Sequence, residues 1–169
     1  YIPAFYDNTI ICYSYSKSLS LPGERIGYVM VPPMVSDYQD VFNAVAGAAR
    51  SIGHVCAPSI MQKVAALCAY VRPDVSVYEK NAKFLYENMT KLGYNCAKPE
   101  GAFYLFFEAP HGLTGQEFSD MAKERYNILI VPGGDFGCPN HLRLSYCVPT
   151  ERVEQALPFF EKLIADAKR

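Results

Sequence analysis

The sequence predicts an α/β chain in two parts: a first part over residues 1–74 and an α+β second part over 75–169. Two observations carry this prediction. The apolar runs Thr9-Ile10-Ile11-Cys12-Tyr13 and Ile26-Gly27-Tyr28-Val29-Met30-Val31 have strand length, bracket a polar crossing and are followed by helical patterns. After residue 74 the segments run strand, strand, helix, strand, strand, helix, and no internal repeat or low-complexity stretch interrupts them.

Pro32-Pro33 stops the second strand, and Ser36 with Asp37 offers a cap for a helix whose Val41, Ala44, Val45 and Ala48 share a face as far as Arg50. Residues 51–57 read as an ordered loop. Pro58 suits a first helical turn, and Ile60, Met61, Val64, Ala65, Leu67, Cys68 and Val71 surround the next cylinder, which predicts a helix buried on several sides. Pro73 interrupts, and Asp74 opens the clearest helix, with Tyr78, Ala82, Leu85, Met89 and Leu92 on one face and Lys91 and Gly93 at its end. The boundary is placed here because a long helix often carries a chain from one compact unit to the next.

In the second part, residues 94–96 and 102–107 read as strands joined across Pro99-Glu100-Gly101. Thr114-Gly115-Gln116-Glu117 has the form of a capping box and opens a helix through Phe118, Met121, Ala122 and Arg125. Residues 128–131 and 141–146 are the next strands, separated by Pro132-Gly133-Gly134-Asp135-Phe136-Gly137. Thr150 caps a last helix with Val153, Leu157, Phe160 and Ile164 on one face, and Pro158 is expected to bend it or mark its start. Asp135-Phe136-Gly137 copies a kinase triplet, but no glycine-rich nucleotide loop accompanies it, and it reads as a turn.

Apolar residues make up 50% of the chain, ample for a core, and the 16 basic and 17 acidic side chains nearly cancel without forming blocks. Nothing in that balance recommends nucleic acid or an anionic membrane as partner. The six cysteines have no C-x-x-C pair and read as free thiols of a reducing, cytoplasmic setting. His54, His111 and His141 show no metal-like spacing with one another or with the cysteines. The chain begins at Tyr1 with an apolar aromatic patch, Tyr1-Ile2-Pro3-Ala4-Phe5-Tyr6, which reads as a cut within a larger protein.

The crossing between the first two strands concentrates the chemistry. Lys17 stands among the hydroxyls of Ser14, Ser16 and Ser18, and Arg25 follows it by eight positions. A primary amine beside hydroxyls and a guanidinium suits a phosphorylated aldehyde, because the amine attacks the carbonyl while the other groups hold the dianion. On spacing alone a surface loop with one lysine is the commoner reading.

This stretch resembles the cofactor-lysine signature of the class I/II aminotransferases, the fold-type I pyridoxal-phosphate enzymes. Ser14, Lys17 and Arg25 match its phosphate serine, cofactor lysine and phosphate arginine, and Pro22-Gly23-Glu24-Arg25-Ile26-Gly27-Tyr28 matches the remainder of the signature. Pro58 with Gln62, Pro99-Glu100-Gly101-Ala102-Phe103-Tyr104, Pro132-Gly133-Gly134-Asp135-Phe136-Gly137 and Leu142-Arg143-Leu144-Ser145-Tyr146 resemble later landmarks of the family in the right order.

The resemblance implies that residues 1–74 are the tail of the large, parallel-sheet cofactor domain and 75–169 the small C-terminal domain. It implies pyridoxal 5'-phosphate bound covalently through Lys17, with Ser14, Arg25 and, more weakly, Ser16 on the phosphate. Lys17 is then the base that moves the substrate proton, and Arg143 takes the substrate carboxylate in a two-pronged contact. Read without the family, Arg143 is a strand-end arginine in a structural ion pair. The implied reaction transfers an amino group between an amino acid and a 2-oxo acid, in a cytoplasmic homodimer. The aspartate that charges the pyridine nitrogen is expected upstream of residue 1, so the fragment alone is expected to be inactive. The competing readings are a β-lyase or synthase of the same fold and a non-catalytic binding module.

Overall fold

Two short strands, β1 (Ile11–Ser14) and β2 (Gly27–Met30), pair as an antiparallel hairpin with Ile11 opposite Met30 and Ser14 opposite Gly27. They belong to the first of two units, Tyr1–Pro73 and Asp74–Arg169, of a computed structural model that describes residues 2–168. The pairing departs from the parallel sheet expected of this region. The connection over residues 15–26 holds only the four-residue helix α1 (Tyr15–Ser18) and turns, with no helix long enough to pack on the sheet and return the chain for a parallel pair, so the chain reverses on itself.

Two helices follow in the first unit, α2 (Tyr38–Ser51) and α3 (Ser59–Leu67). Asp37 precedes α2 with φ 54° and makes no side-chain cap bond, so the expected capping is absent. Pro58 is the N-cap of α3 rather than its first residue. The expectation that α3 is buried on several sides is overturned: only Ala65 is buried, while Ile60 and Leu67 are largely in solvent. No residue of α2 is buried either. The apolar periodicity is real, but this chain supplies no surface that covers it.

The second unit is an antiparallel sheet with helices packed on its core face. Its strands are β3 (Cys96–Ala97), β4 (Tyr104–Glu108), β5 (Val131–Pro132) and β6 (His141–Ser145), in the order β3-β4-β6-β5. Alternation along the strands sends Leu105, Phe107 and Leu142 into the core and leaves Tyr104, Phe106 and Arg143 on the other face. The core is completed by Leu85 and Met89 of α4 (Ser76–Lys91), Phe118 and Ala122 of α5 (Gly115–Tyr126), and Val153, Phe160 and Leu163 of α6 (Thr150–Asp166).

Local signals explain most of these elements. Thr114 Oγ1 accepts from the Glu117 N–H and the Glu117 carboxylate accepts from the Thr114 N–H, a complete capping box for α5. Gly93, at φ 98°, turns the chain out of α4 in a conformation that costs other residues more. The strand expected over 128–131 shrinks to Val131–Pro132. Helix α5 takes the rest: the Ile128 N–H donates to the Ala122 carbonyl, and the Ser119 hydroxyl donates to the Ile130 carbonyl. Thr150 begins α6 after Pro149 at the N-cap, and the helix passes through Pro158 unbroken.

All six cysteines are free thiols, and among the described residues no helix is long and apolar enough to cross a membrane.

Candidate active site

The predicted phosphate and lysine residues gather at one end of the β1–β2 hairpin. Ser14 ends β1 and caps α1, with an extended backbone that turns its hydroxyl toward the helix. Its Oγ accepts from the Ser16 N–H at 3.2 Å and donates to Ser16 Oγ at 2.9 Å. Lys17 is the next residue of the same turn and is exposed. Ser18 contributes a buried Oγ that has no hydrogen-bond partner.

Gly27 makes this arrangement sterically feasible. It lies opposite Ser14, and a Cβ there would collide with the Tyr13 carbonyl. The two strands can therefore close up at the residue that presents the Ser14 hydroxyl. Arg25 stands two residues before β2 in the left-handed region, φ 53°, and its Nη1 donates to the Pro22 carbonyl at 2.9 Å, so the turn orients the guanidinium while leaving its other donors for an anion. Tyr13 stacks on Tyr28 with centroids 5.2 Å apart, and Tyr15 meets Tyr13 edge-on at 5.2 Å, which stiffens the hairpin beside α1.

This donor set fits the phosphorylated aldehyde that the sequence implies. Hydroxyls and a guanidinium suit a phosphate dianion, Lys17 supplies the amine, and the orphaned Ser18 oxygen is hydrogen-bonding capacity that the protein itself leaves unmet.

Arg143 belongs to the second unit, in the middle of β6 and opposite Phe106 of β4. Its guanidinium carbon lies 4.6 Å from the Tyr104 ring centroid and 4.5 Å from that of Phe136. Its Nε is buried without a hydrogen-bond partner. Among the described residues it makes no ion pair, which removes the structural ion-pair reading of this arginine. A buried unmet donor costs about 1–3 kcal/mol, a standing incentive for an anionic ligand at this place.

Asn81, a fully buried side chain on α4, belongs to no motif of the sequence. Its Nδ2 donates to the carbonyls of Tyr146 and Val148, at 3.1 and 2.9 Å, and so pins the segment that leaves β6. An asparagine amid the apolar positions of an amphipathic helix was the available signal. The aromatic neighbours of Arg143 left no comparable trace, since Tyr104 and Phe136 come from separate strand and turn segments. A cleft of about 460 Å³ between α4 and residues 98–102 does not include Arg143 in its lining.

The family model for aminotransferase class I and II matches residues 4–160. The aspartate aminotransferase of Geobacillus stearothermophilus is 31% identical over 92% of this chain and 41% of its own length. A solved amino transferase from Eubacterium rectale superposes with a TM-score of 0.91 at 47% identity, covering 100% of this chain and 42% of that one. The aspartate aminotransferase of Thermotoga maritima gives a TM-score of 0.76 at 28% identity over 92% of this chain and 40% of that one. The chain thus spans about two fifths of the length of the relatives it matches.

Proposed function

The chain belongs to the class I and II aminotransferases, and on that premise we propose that it supplies the cofactor lysine, part of the phosphate site and the substrate-carboxylate arginine of an enzyme that moves an amino group between an amino acid and a 2-oxo acid. Members of the family use pyridoxal 5'-phosphate, whose pyridine ring, when bound, serves as the electron sink for a substrate carbanion. The observation that carries the reading is that Ser14, Ser16, Lys17 and Arg25 all stand on one hairpin connection, with Ser14 and Ser16 already bonded to each other.

Each residue has a separate task. Ser14, with Ser16 beside it, and Arg25 would hold the phosphate through charge-assisted hydrogen bonds, within the same connection as the Lys17 amine. Lys17 would hold the cofactor through its Nζ and, as a free amine, would serve as the base for the proton on the substrate α-carbon. Arg143 orients the substrate through its carboxylate. The tail of the large domain and the small domain then correspond to residues 1–74 and 75–169, and the intact enzyme is a homodimer. Exposed apolar side chains such as Phe5, Leu67 and Tyr70, at 90, 84 and 98% accessibility, support extensive subunit and domain contacts in the first unit.

Reductive trapping tests the reading on the 169-residue chain itself. Incubation with pyridoxal phosphate, borohydride reduction and peptide mapping should place one label on Lys17, abolished in Lys17→Ala. Ser14→Ala or Arg25→Ala should weaken labelling about tenfold, the value of one charge-assisted hydrogen bond. Label scattered over the other lysines with no preference for Lys17 would sink the proposal. Turnover is a separate matter: without the aspartate that charges the pyridine nitrogen, the chain alone is expected to show no appreciable transamination.

A further inference from the structure

We infer that Tyr104 and Phe136 are positioning residues, an aromatic clamp that holds the Arg143 guanidinium in its ligand-binding orientation before the ligand arrives. The inference rests on the reading of Arg143 as the carboxylate arginine and adds to it the groups through which that arginine is set. Both rings lie within 4.6 Å of the guanidinium carbon, inside cation–π range. The Nη groups make no hydrogen bond to any described residue, and the Nε is buried without one. Aromatic faces are suited to this duty because they attract the cation yet accept none of its planar donors strongly, so the edge that a carboxylate needs stays open.

The two rings are themselves held by rigid backbone. Tyr104 pairs with Ser145 across the β4–β6 ladder, which puts it diagonally beside Arg143 on the same sheet face. Phe136 closes the turn Gly134–Phe136, and that turn is tied to the start of β6. The Gly133 N–H donates to the His141 carbonyl at 2.7 Å, and the Cys138 and Phe136 N–H groups both donate to the Gly133 carbonyl at 2.9 Å. A side chain at position 133 would strike the carbonyls of Cys138 and His141, and Gly137 takes φ 74°, so the glycines of this turn let it sit tightly enough to bring Phe136 over the arginine. A free arginine loses much rotamer freedom on meeting a carboxylate; one held in advance loses less, and the ligand binds more tightly.

The test uses the 169-residue chain labelled with nitrogen-15 at arginine. The Arg143 Nε–H resonance is assigned by its loss in Arg143→Lys, and pyruvate is titrated with acetamide as uncharged control. The resonance should exchange slowly before ligand is added and should shift with pyruvate and not with acetamide. Tyr104→Leu and Phe136→Leu should each speed that exchange and raise the pyruvate Kd about tenfold. Tyr104→Phe keeps the ring and should restore both readouts, and amide spectra matching the wild type establish that each variant is folded. If Arg143→Lys weakens pyruvate binding while both leucine variants leave exchange and Kd unchanged, the clamp is wrong and the carboxylate reading stands. If pyruvate binds equally to the wild type and to Arg143→Lys, the carboxylate reading fails and takes the clamp with it.

Discussion

The second unit buries Leu105, Leu142, Phe118, Phe160 and Leu163 completely, whereas the first, with a helix of fourteen residues among its elements, buries no residue of that helix. Apart from prolines, its buried apolar side chains among the described residues are Ile26, Val31, Val35 and Ala65, and many larger ones stand in solvent. Yet the lysine on which the proposed chemistry turns belongs to the first unit. The difference separates two jobs that one sequence pattern cannot distinguish. Residues 74–169 carry apolar positions that meet one another across a sheet and three helices, while much of the apolar surface in residues 1–73 meets nothing within the chain. Most of the buried core of this polypeptide therefore lies in the unit that holds Arg143, whereas Lys17 stands on a short hairpin connection with little core beneath it.

Core truncation is the strongest way to upset that contrast. Phe160→Ala in the second unit should cost about 3–5 kcal/mol in denaturant unfolding followed by circular dichroism, because its ring is fully buried. Leu67→Ala, at 84% exposure in the first unit, should change the same measurement by less than about 0.5 kcal/mol. Equal costs would show that the two units are stabilised alike. Gly27→Ala comes next, at about 1–3 kcal/mol of local strain from the collision with the Tyr13 carbonyl. Hydrogen exchange should then quicken at the β1–β2 amides and remain unchanged in β4 and β6.

Two smaller effects belong to the second unit. Thr114→Ala removes the hydroxyl of the capping box and should cost about 1 kcal/mol. The N–H and hydroxyl of Thr114 also hold the Glu117 carboxyl below its ordinary value of 4.5. A depressed carboxyl stabilises the fold above that value and loses the contribution as pH falls through the lower, folded one, so the Thr114→Ala penalty should shrink in acid. At the alkaline end, burial pushes the Cys96 thiol from 9.0 up to about 11 and raises the Tyr94 phenol, whose hydroxyl donates to the Phe160 carbonyl at 2.8 Å. For a raised value the stabilisation is complete below about pH 9 and is lost as pH rises through 11. Cys96→Ala should flatten part of that decline in stability between pH 9 and 11, measured against the wild type in urea.

Features governed by local rules were legible in residue order. The capping box at Thr114 and Glu117, the four-and-three stepping through α4 and the exit at Gly93 each need only a few neighbouring residues, and each is in place. Ser14, Ser16, Lys17 and Arg25 are kept near one another by the same kind of local rule, since they stand at the end of β1 and on the connection to β2. Burial was not legible: α3 has the pattern of a helix covered on several sides, but a pattern states which faces are apolar and not whether anything meets them. The strand expected at 128–131 shortened similarly, because Ala122 and Ser119 of α5 bond the Ile128 N–H and the Ile130 carbonyl. The surroundings of Arg143 came from the folded arrangement and from nothing local. Tyr104 reaches it across the β4–β6 ladder and Phe136 through a turn folded back on β6, and such juxtapositions arise from strand register and glycine-permitted close approach, which no spacing along the chain encodes.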